Sequence, residues 1–137
     1  YSLKREWDKS KSKILYIMYN PSLADHKSDD PTTRRLINFT KKFNYGGFLV
    51  ANIFTKITPN PKEIDKSKGI SDKNFEKLIE LINKVDQIVY AWGNSFEEPQ
   101  FLKELILCPK CFGKNLNGTP KHPLYLPSSS RLESYRD

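Results

Sequence analysis

Apolar residues fall in short dense runs separated by polar segments. Residues 13–19, KILYIMY, are apolar almost without a break. Such a run predicts a strand buried on both faces of a parallel sheet, not one alternating between core and solvent. Asn20-Pro21-Ser22 ends it, and the polar stretch ADHKSDD follows. Asp30 then suits an N-cap with Pro31 at the first helical position. Leu36, Phe39 and Phe43 continue that helix along one face, and Gly46-Gly47 reads as its C-cap and turn. Residues 48–54, FLVANIF, predict a second buried strand. The Pro-rich segment TKITPNPKEI is a loop. Ser71 caps a helix whose Phe75, Leu78, Ile79 and Ile82 share a face. Residues 86–92, DQIVYAW, predict a third strand closed by Gly93-Asn94. A short helix starts near Pro99 and carries Phe101, Leu102, Leu105 and Ile106. Residues 107–113 predict a fourth strand, and Asn117-Gly118 a tight turn. The stretch from Ser128 is polar and is expected to fray.

Strands alternating with helices imply an α/β fold with a parallel sheet. The expected architecture is one domain over 1–137, a three-layer α/β/α sandwich on a four-stranded parallel sheet. Its strand order is second, first, third, fourth.

Composition narrows this picture only slightly. The chain has 137 residues, and that length buries roughly two-thirds of the unfolded surface, so folding requires neither metal nor disulfides. Aromatics at 12% argue against a disordered chain. No apolar run approaches the ~20 residues of a membrane span. The first ten residues, YSLKREWDKS, are charged and lead into no secretory h-region, so a cytoplasmic location is expected. The two cysteines, Cys108 and Cys111, make only half of a four-ligand zinc site, and His26 and His122 do not complete it. They read as structural or incidental, with a shared metal or redox role as the lesser alternative, and no resident metal or cofactor is expected. The net charge of +7 permits nucleic-acid binding by counterion release and equally fits a lysine-rich composition.

Open α/β sheets bind ligands beyond the carboxyl ends of their strands. The residues at those ends therefore matter most. The first strand ends in Asn20-Pro21-Ser22, and the second holds Asn52 near its end. The third ends in Trp92-Gly93-Asn94, and His122-Pro123 follows the fourth. Amides, an imidazole and an indole on one rim suit an uncharged, planar, hydrogen-bonding ligand such as a nucleobase. Plainer readings stand beside this one. Asn20-Pro21-Ser22 also suits a turn, Asn52 a structural amide, Trp92 a core position and His26 a solvated one.

The motifs NPS-AD, DDPT-RR, AWGN and HPLYLP resemble the family catalogued as domain of unknown function 1643, over nearly the whole chain. The order of strand-end motifs also resembles the uracil-DNA glycosylase superfamily. Met18-Tyr19-Asn20-Pro21 is similar to its first motif, Asn52 to its base-reading Asn, Trp92-Gly93 to its third motif and His122-Pro123 to its fourth. This second resemblance implies hydrolysis of the N-glycosidic bond of a damaged or modified base flipped into a pocket. Asn20 would orient a water, and His122 would donate to the base oxygen where charge develops. Asn52 would read the base edge, with Tyr19, Trp92 and Asn94 around it. Ser22, Arg34, Arg35, Lys41, Lys121 and Arg131 are candidate phosphate contacts. Of the acidic cluster, Asp30 suits N-capping. Asp25 or Asp29 is a candidate for the water-activating base that Asn20 cannot be, or for a magnesium ligand. Met18 stands where that superfamily has Gly, and Leu124 where it has Ser. The partner expected is DNA or a nucleotide, bound by a monomer. The alternatives are a non-catalytic module binding a nucleobase, a nucleotide or modified DNA on the same fold, and a basic interaction protein with no small-ligand site.

Overall fold

The computed structural model describes residues 2–19, 31–53, 72–94 and 96–136. Asn20, Ser22, Asp25, His26, Asp29, Asp30 and Ser71 lie outside them. The described elements run β1 (Ser2–Glu6), β2 (Lys13–Met18), α1 (Pro31–Lys42), β3 (Gly47–Asn52), α2 (Asp72–Ile82), β4 (Gln87–Tyr90), α3 (Gln100–Leu105), β5 (Lys110–Cys111) and β6 (Glu133–Ser134). All six strands share one sheet, ordered β1-β3-β2-β4-β5-β6.

The inner strands β3, β2, β4 and β5 pair in parallel, in the order the sequence predicts. The sheet does not stop there. β1 pairs antiparallel with β3, and β6 pairs antiparallel with β5, so the expected four-stranded parallel sheet is a six-stranded mixed one. Both additions come from segments too polar to announce themselves. β1 buries Leu3 and leaves Lys4 exposed, the composition of a protected edge strand. β6 is exposed throughout and is held by its pairing with β5 and by the Lys110 Nζ–Ser134 Oγ bond, so residues 128–136 are ordered where fraying was expected. The fourth strand shrinks from the expected 107–113 to two residues. Leu107 and Cys108 are exposed, and Pro109 has no N–H for a ladder.

The unbroken apolar run of β2 divides between two cores. Ile14, Tyr16 and Met18 pack with Phe48 and Val50 of β3 and with Leu36 and Phe39 of α1. Leu15 and Ile17 pack with Leu49 and Ala51, with Leu78 and Leu81 of α2, and with Phe101 and Leu102 of α3. One sheet face therefore carries α1, and the other carries α2 and α3. In α2 the buried stripe takes Leu81 where the sequence pointed to Ile79, which is exposed. Within α1 the buried Thr40 is satisfied locally. Its hydroxyl donates to Leu36 O at 2.6 Å and bonds the Tyr16 hydroxyl at 2.8 Å.

The end of α1 also differs from expectation. Asn44 takes the left-handed conformation (φ 66°). The Tyr45 N–H donates to Thr40 O and the Asn44 N–H to Lys41 O, which is a Schellman close. Gly46 and Gly47 serve another purpose. A Cβ on Gly46 would lie 2.0 Å from Asp8 O, and one on Gly47 would lie 2.5 Å from Arg5 O. The glycines let β1 and its turn approach β3.

From β2 the chain passes to β3 on one side, then returns past β2 to β4 on the other. The winding reverses between β2 and β4, which places the ligand-favoured crevice at their carboxyl ends.

Candidate functional site

At the carboxyl end of β4 the chain turns at Gly93, whose φ of +81° favours glycine. A Cβ there would lie 3.5 Å from the His122 Cβ, so the turn after β4 and the loop after β5 meet at this point. Around the meeting point lies a cleft of about 360 Å³, lined by Gly93, Asn94, Asn115, Lys121, His122 and Leu126. That volume falls in the ~300–1,000 Å³ range of small-molecule sites. Three residues expected at the rim, Asn94, Lys121 and His122, are thereby brought together.

His122 is half-buried, and its Nδ1 accepts the Leu124 N–H at 3.2 Å. With Nδ1 used as an acceptor, the neutral ring carries its proton on Nε2. The imidazole is thus set as a hydrogen-bond donor at its far nitrogen. Asn115 was not singled out by the sequence, because an Asn near a turn signal is ordinary. It is fixed by two bonds to Thr119, Nδ2 to Oγ1 at 3.0 Å and N–H to the carbonyl at 2.8 Å. The expected turn at Asn117-Gly118 supports it, with the Asn117 carboxamide oxygen accepting the Thr119 N–H at 3.1 Å. The Lys121 N–H donates to Gly113 O, tying the His122 loop to the end of β5.

Asn52 ends β3 opposite Met18 of β2. Its alternation places it on the same sheet face as Phe48 and Val50, the α1 face. Its Oδ1 is buried and, among the described residues, has no hydrogen-bond partner. Only β2 separates β3 from β4, so the ends of β3 and β4 lie about 10 Å apart.

The aromatic candidates sit on the other face. Trp92 is 2% exposed, donates its indole N–H to Phe96 O at 2.8 Å and stacks on Phe96 with centroids 5.0 Å apart. Tyr19 is half-buried and meets Phe96 edge-on at 5.7 Å. Both pack in the α2/α3-face core. For Trp92 the plainer core reading therefore describes its surroundings.

Among the basic candidates, only Lys121 lines the cleft. Arg34 and Arg131 are exposed. Arg35 is half-buried, with its guanidinium 5.2 Å over the Phe39 ring and its Nε buried without a partner. Lys41 belongs to the opposite edge of the sheet. It lies 5.2 Å over the Trp7 ring, beside Gly46 and the start of β3, which removes it from the rim. Cys111 is buried, and that burial raises its thiol pKa; Cys108 is exposed. Among the described residues no three His, Cys, Asp or Glu side chains gather as a metal site, and no helix is long and apolar enough to cross a membrane.

No curated protein and no solved structure matches the chain. A family model does match, from β1 through His122 and Pro123 to Leu124. The chain belongs to the family described as protein of unknown function (DUF1643), whose model covers residues 1–124.

Proposed function

We propose that the strand-end rim of this protein binds a nucleobase, and that its reaction is hydrolysis of the N-glycosidic bond of a damaged or modified base. The observation that carries the reading is the Asn52 carboxamide, whose oxygen is buried at the end of β3 with no partner among the described residues. A buried acceptor left open costs about 1–3 kcal/mol, a cost that a bound ligand with a donor edge removes. A base edge offers such donors. His122, with its donor nitrogen directed by the Leu124 N–H, supplies the complementary group for an oxygen gaining negative charge. In the reaction a water adds to C1′, the C1′–N bond breaks, and its electron pair leaves with the base. Asn20 is the residue proposed to orient that water. The inner strand order β3-β2-β4-β5, with helices on both faces, supports the three-layer uracil-DNA glycosylase-like fold that this reading requires.

A second reading is binding without turnover. It is favoured by the cleft lining, which holds amides, a lysine and an imidazole but, among the described residues, no carboxylate to act as a base. One experiment separates the two. The protein is incubated with oligonucleotides carrying uracil, hypoxanthine or hypermodified bases, while strand breakage at abasic sites and binding are both measured. Hydrolysis that is lost in Asn20→Ala and His122→Ala supports the enzyme. Binding that Asn52→Ala weakens by about tenfold, with no base released, supports the module. Neither binding nor release overturns both.

A further inference from the structure

Two walls of the cleft are irregular backbone, and both are fastened from behind by the same pair of consecutive residues. One wall is the turn after β4 that carries Gly93 and Asn94; the other is the turn that carries Asn115. Behind the first, Glu98 is nearly buried, its side chain 5% exposed. The Tyr90 hydroxyl donates to its Oε2 at 2.6 Å, and the Arg136 Nε–H donates to both carboxylate oxygens at 3.1 Å. Arg136 also donates to the carbonyls of Leu107 at 3.0 Å and of Ile106, at the end of α3. Behind the second wall, the Tyr135 hydroxyl donates to Gly118 O at 3.0 Å, on the turn that begins at Asn115. The Tyr135 ring lies 5.0 Å from Tyr90 and 6.4 Å from Trp92, at the root of the first wall. The Tyr135 N–H donates to Pro109 O, extending the β5–β6 pairing. A second cleft of about 340 Å³ opens between the backs of the same walls, lined by Glu98, Lys103, Gly118, Tyr135 and Arg136 among others.

We propose that Tyr135 and Arg136 are positioning residues for the front cleft, setting the separation of Asn94 and Asn115 and thereby its affinity for a base. The claim rests on the front cleft being the base-binding site. Its physical ground is independent of that reading. Among the described residues, and apart from the bridge between Lys114 and Pro120, no strand pairing spans either wall. Where no ladder fixes a turn, side-chain bonds to its carboxylate or carbonyl decide where it sits. A site displaced by as little as about 1 Å loses function out of proportion to the stability lost.

The test uses Tyr135→Phe and Arg136→Lys in the full chain. Tyr135→Phe removes one hydroxyl and keeps the ring on Tyr90 and Trp92, so Tm should stay within about 2 °C of the parent. The expected result is that the side-chain amide NMR resonances of Asn94 and Asn115 shift or broaden without ligand. Affinity for a uracil-bearing single-stranded oligodeoxynucleotide should fall by about tenfold. Arg136→Lys keeps the charge but not the planar fork, and should move the Asn94 resonances more than those of Asn115. Unmoved Asn94 and Asn115 resonances in both variants, whatever happens to Tm, overturn the proposal. If the oligodeoxynucleotide perturbs nothing in the parent while both variants displace the two asparagines, the base-binding reading fails and the positioning role stands.

Discussion

Behind the cleft, around α3 and β6, polar groups are used to capacity. Glu98 accepts from Tyr90 and Arg136, Arg136 donates further to carbonyls at the end of α3, and the Trp92 indole N–H is taken by Phe96. At the carboxyl end of β3 the opposite holds: among the described residues the buried Asn52 oxygen has nothing to accept from. Arg35, on α1, likewise buries an Nε–H without a partner. The first pattern belongs to structure, since each member loses stability if its partner goes. The second is uncompensated among the described residues, and in the proposed function a ligand completes it. Gln87, whose Nε2 is also orphaned, sharpens the rule. It opens β4 at the amino edge, away from any strand end where a ligand would bind, so an orphaned atom indicates a site only where the topology also provides one.

The largest effect that could break this contrast is at Arg136. Arg136→Ala strips the buried Glu98 carboxylate of its cation and frees the carbonyls at the end of α3. Breaking a fully buried pair costs about 3–5 kcal/mol. With Arg136 28% exposed the cost should be about 2–3 kcal/mol, or roughly 10 °C in Tm. Thermal or urea unfolding measures it. Adding Glu98→Gln should recover part of the loss, because the uncompensated charge goes with it. A change under about 0.5 kcal/mol would mean that the saturated side is not structural in the sense drawn here.

An intermediate effect should appear in alkali. Burial, and then the hydrogen bond to Glu98, hold the Tyr90 hydroxyl protonated well above its ordinary 10.0. Burial does the same for Tyr16. The folded state therefore favours the protonated phenol. That contribution is fully present below the unfolded-state value and is lost as pH rises through and above it. Stability should fall increasingly from about pH 10 upward, and Tyr90→Phe should flatten the fall. The measurement is the urea midpoint at pH 9 and pH 11 for both proteins. An equally steep fall in Tyr90→Phe would remove Tyr90 from the network's account.

What the sequence made legible follows the same division. The β2 run KILYIMY announced a strand buried on both faces, and it divides its side chains between two cores as such a run must. The strand-end rule picked out Asn20, Asn52, Trp92, Asn94 and His122 from the sequence; Asn94 and His122 line one cleft, joined there by Lys121, which was expected as a phosphate contact, while Trp92 lies in the core and Asn20 outside the described residues. Edges and supports were not legible. β1 and β6 carry charge where a strand signal would be apolar, because an edge strand must discourage further pairing. Arg136 sits in a polar stretch, and only its distant partners Glu98 and Ile106 give it meaning. Asn44 ended α1 where the glycines drew attention, since a Schellman close accepts Asn as well as Gly, and the glycines were needed by a strand the sequence had hidden.

The smallest effect is also the most discriminating. Asn52→Ala removes a buried oxygen that has no partner, so the lost packing of a half-buried side chain is offset by relief of the unmet acceptor. Stability should change by no more than about 0.5 kcal/mol, against the about 2–3 kcal/mol expected for Arg136→Ala. Denaturant unfolding of the two variants side by side gives the comparison directly. Were Asn52→Ala to cost as much as Arg136→Ala, the carboxamide would be holding the fold, and its open oxygen would no longer argue for a ligand. Were it neutral while binding to a base-bearing oligonucleotide weakened, the two kinds of buried polar group would be separated by a single measured pair: one that the fold cannot lose, and one that the fold does not use.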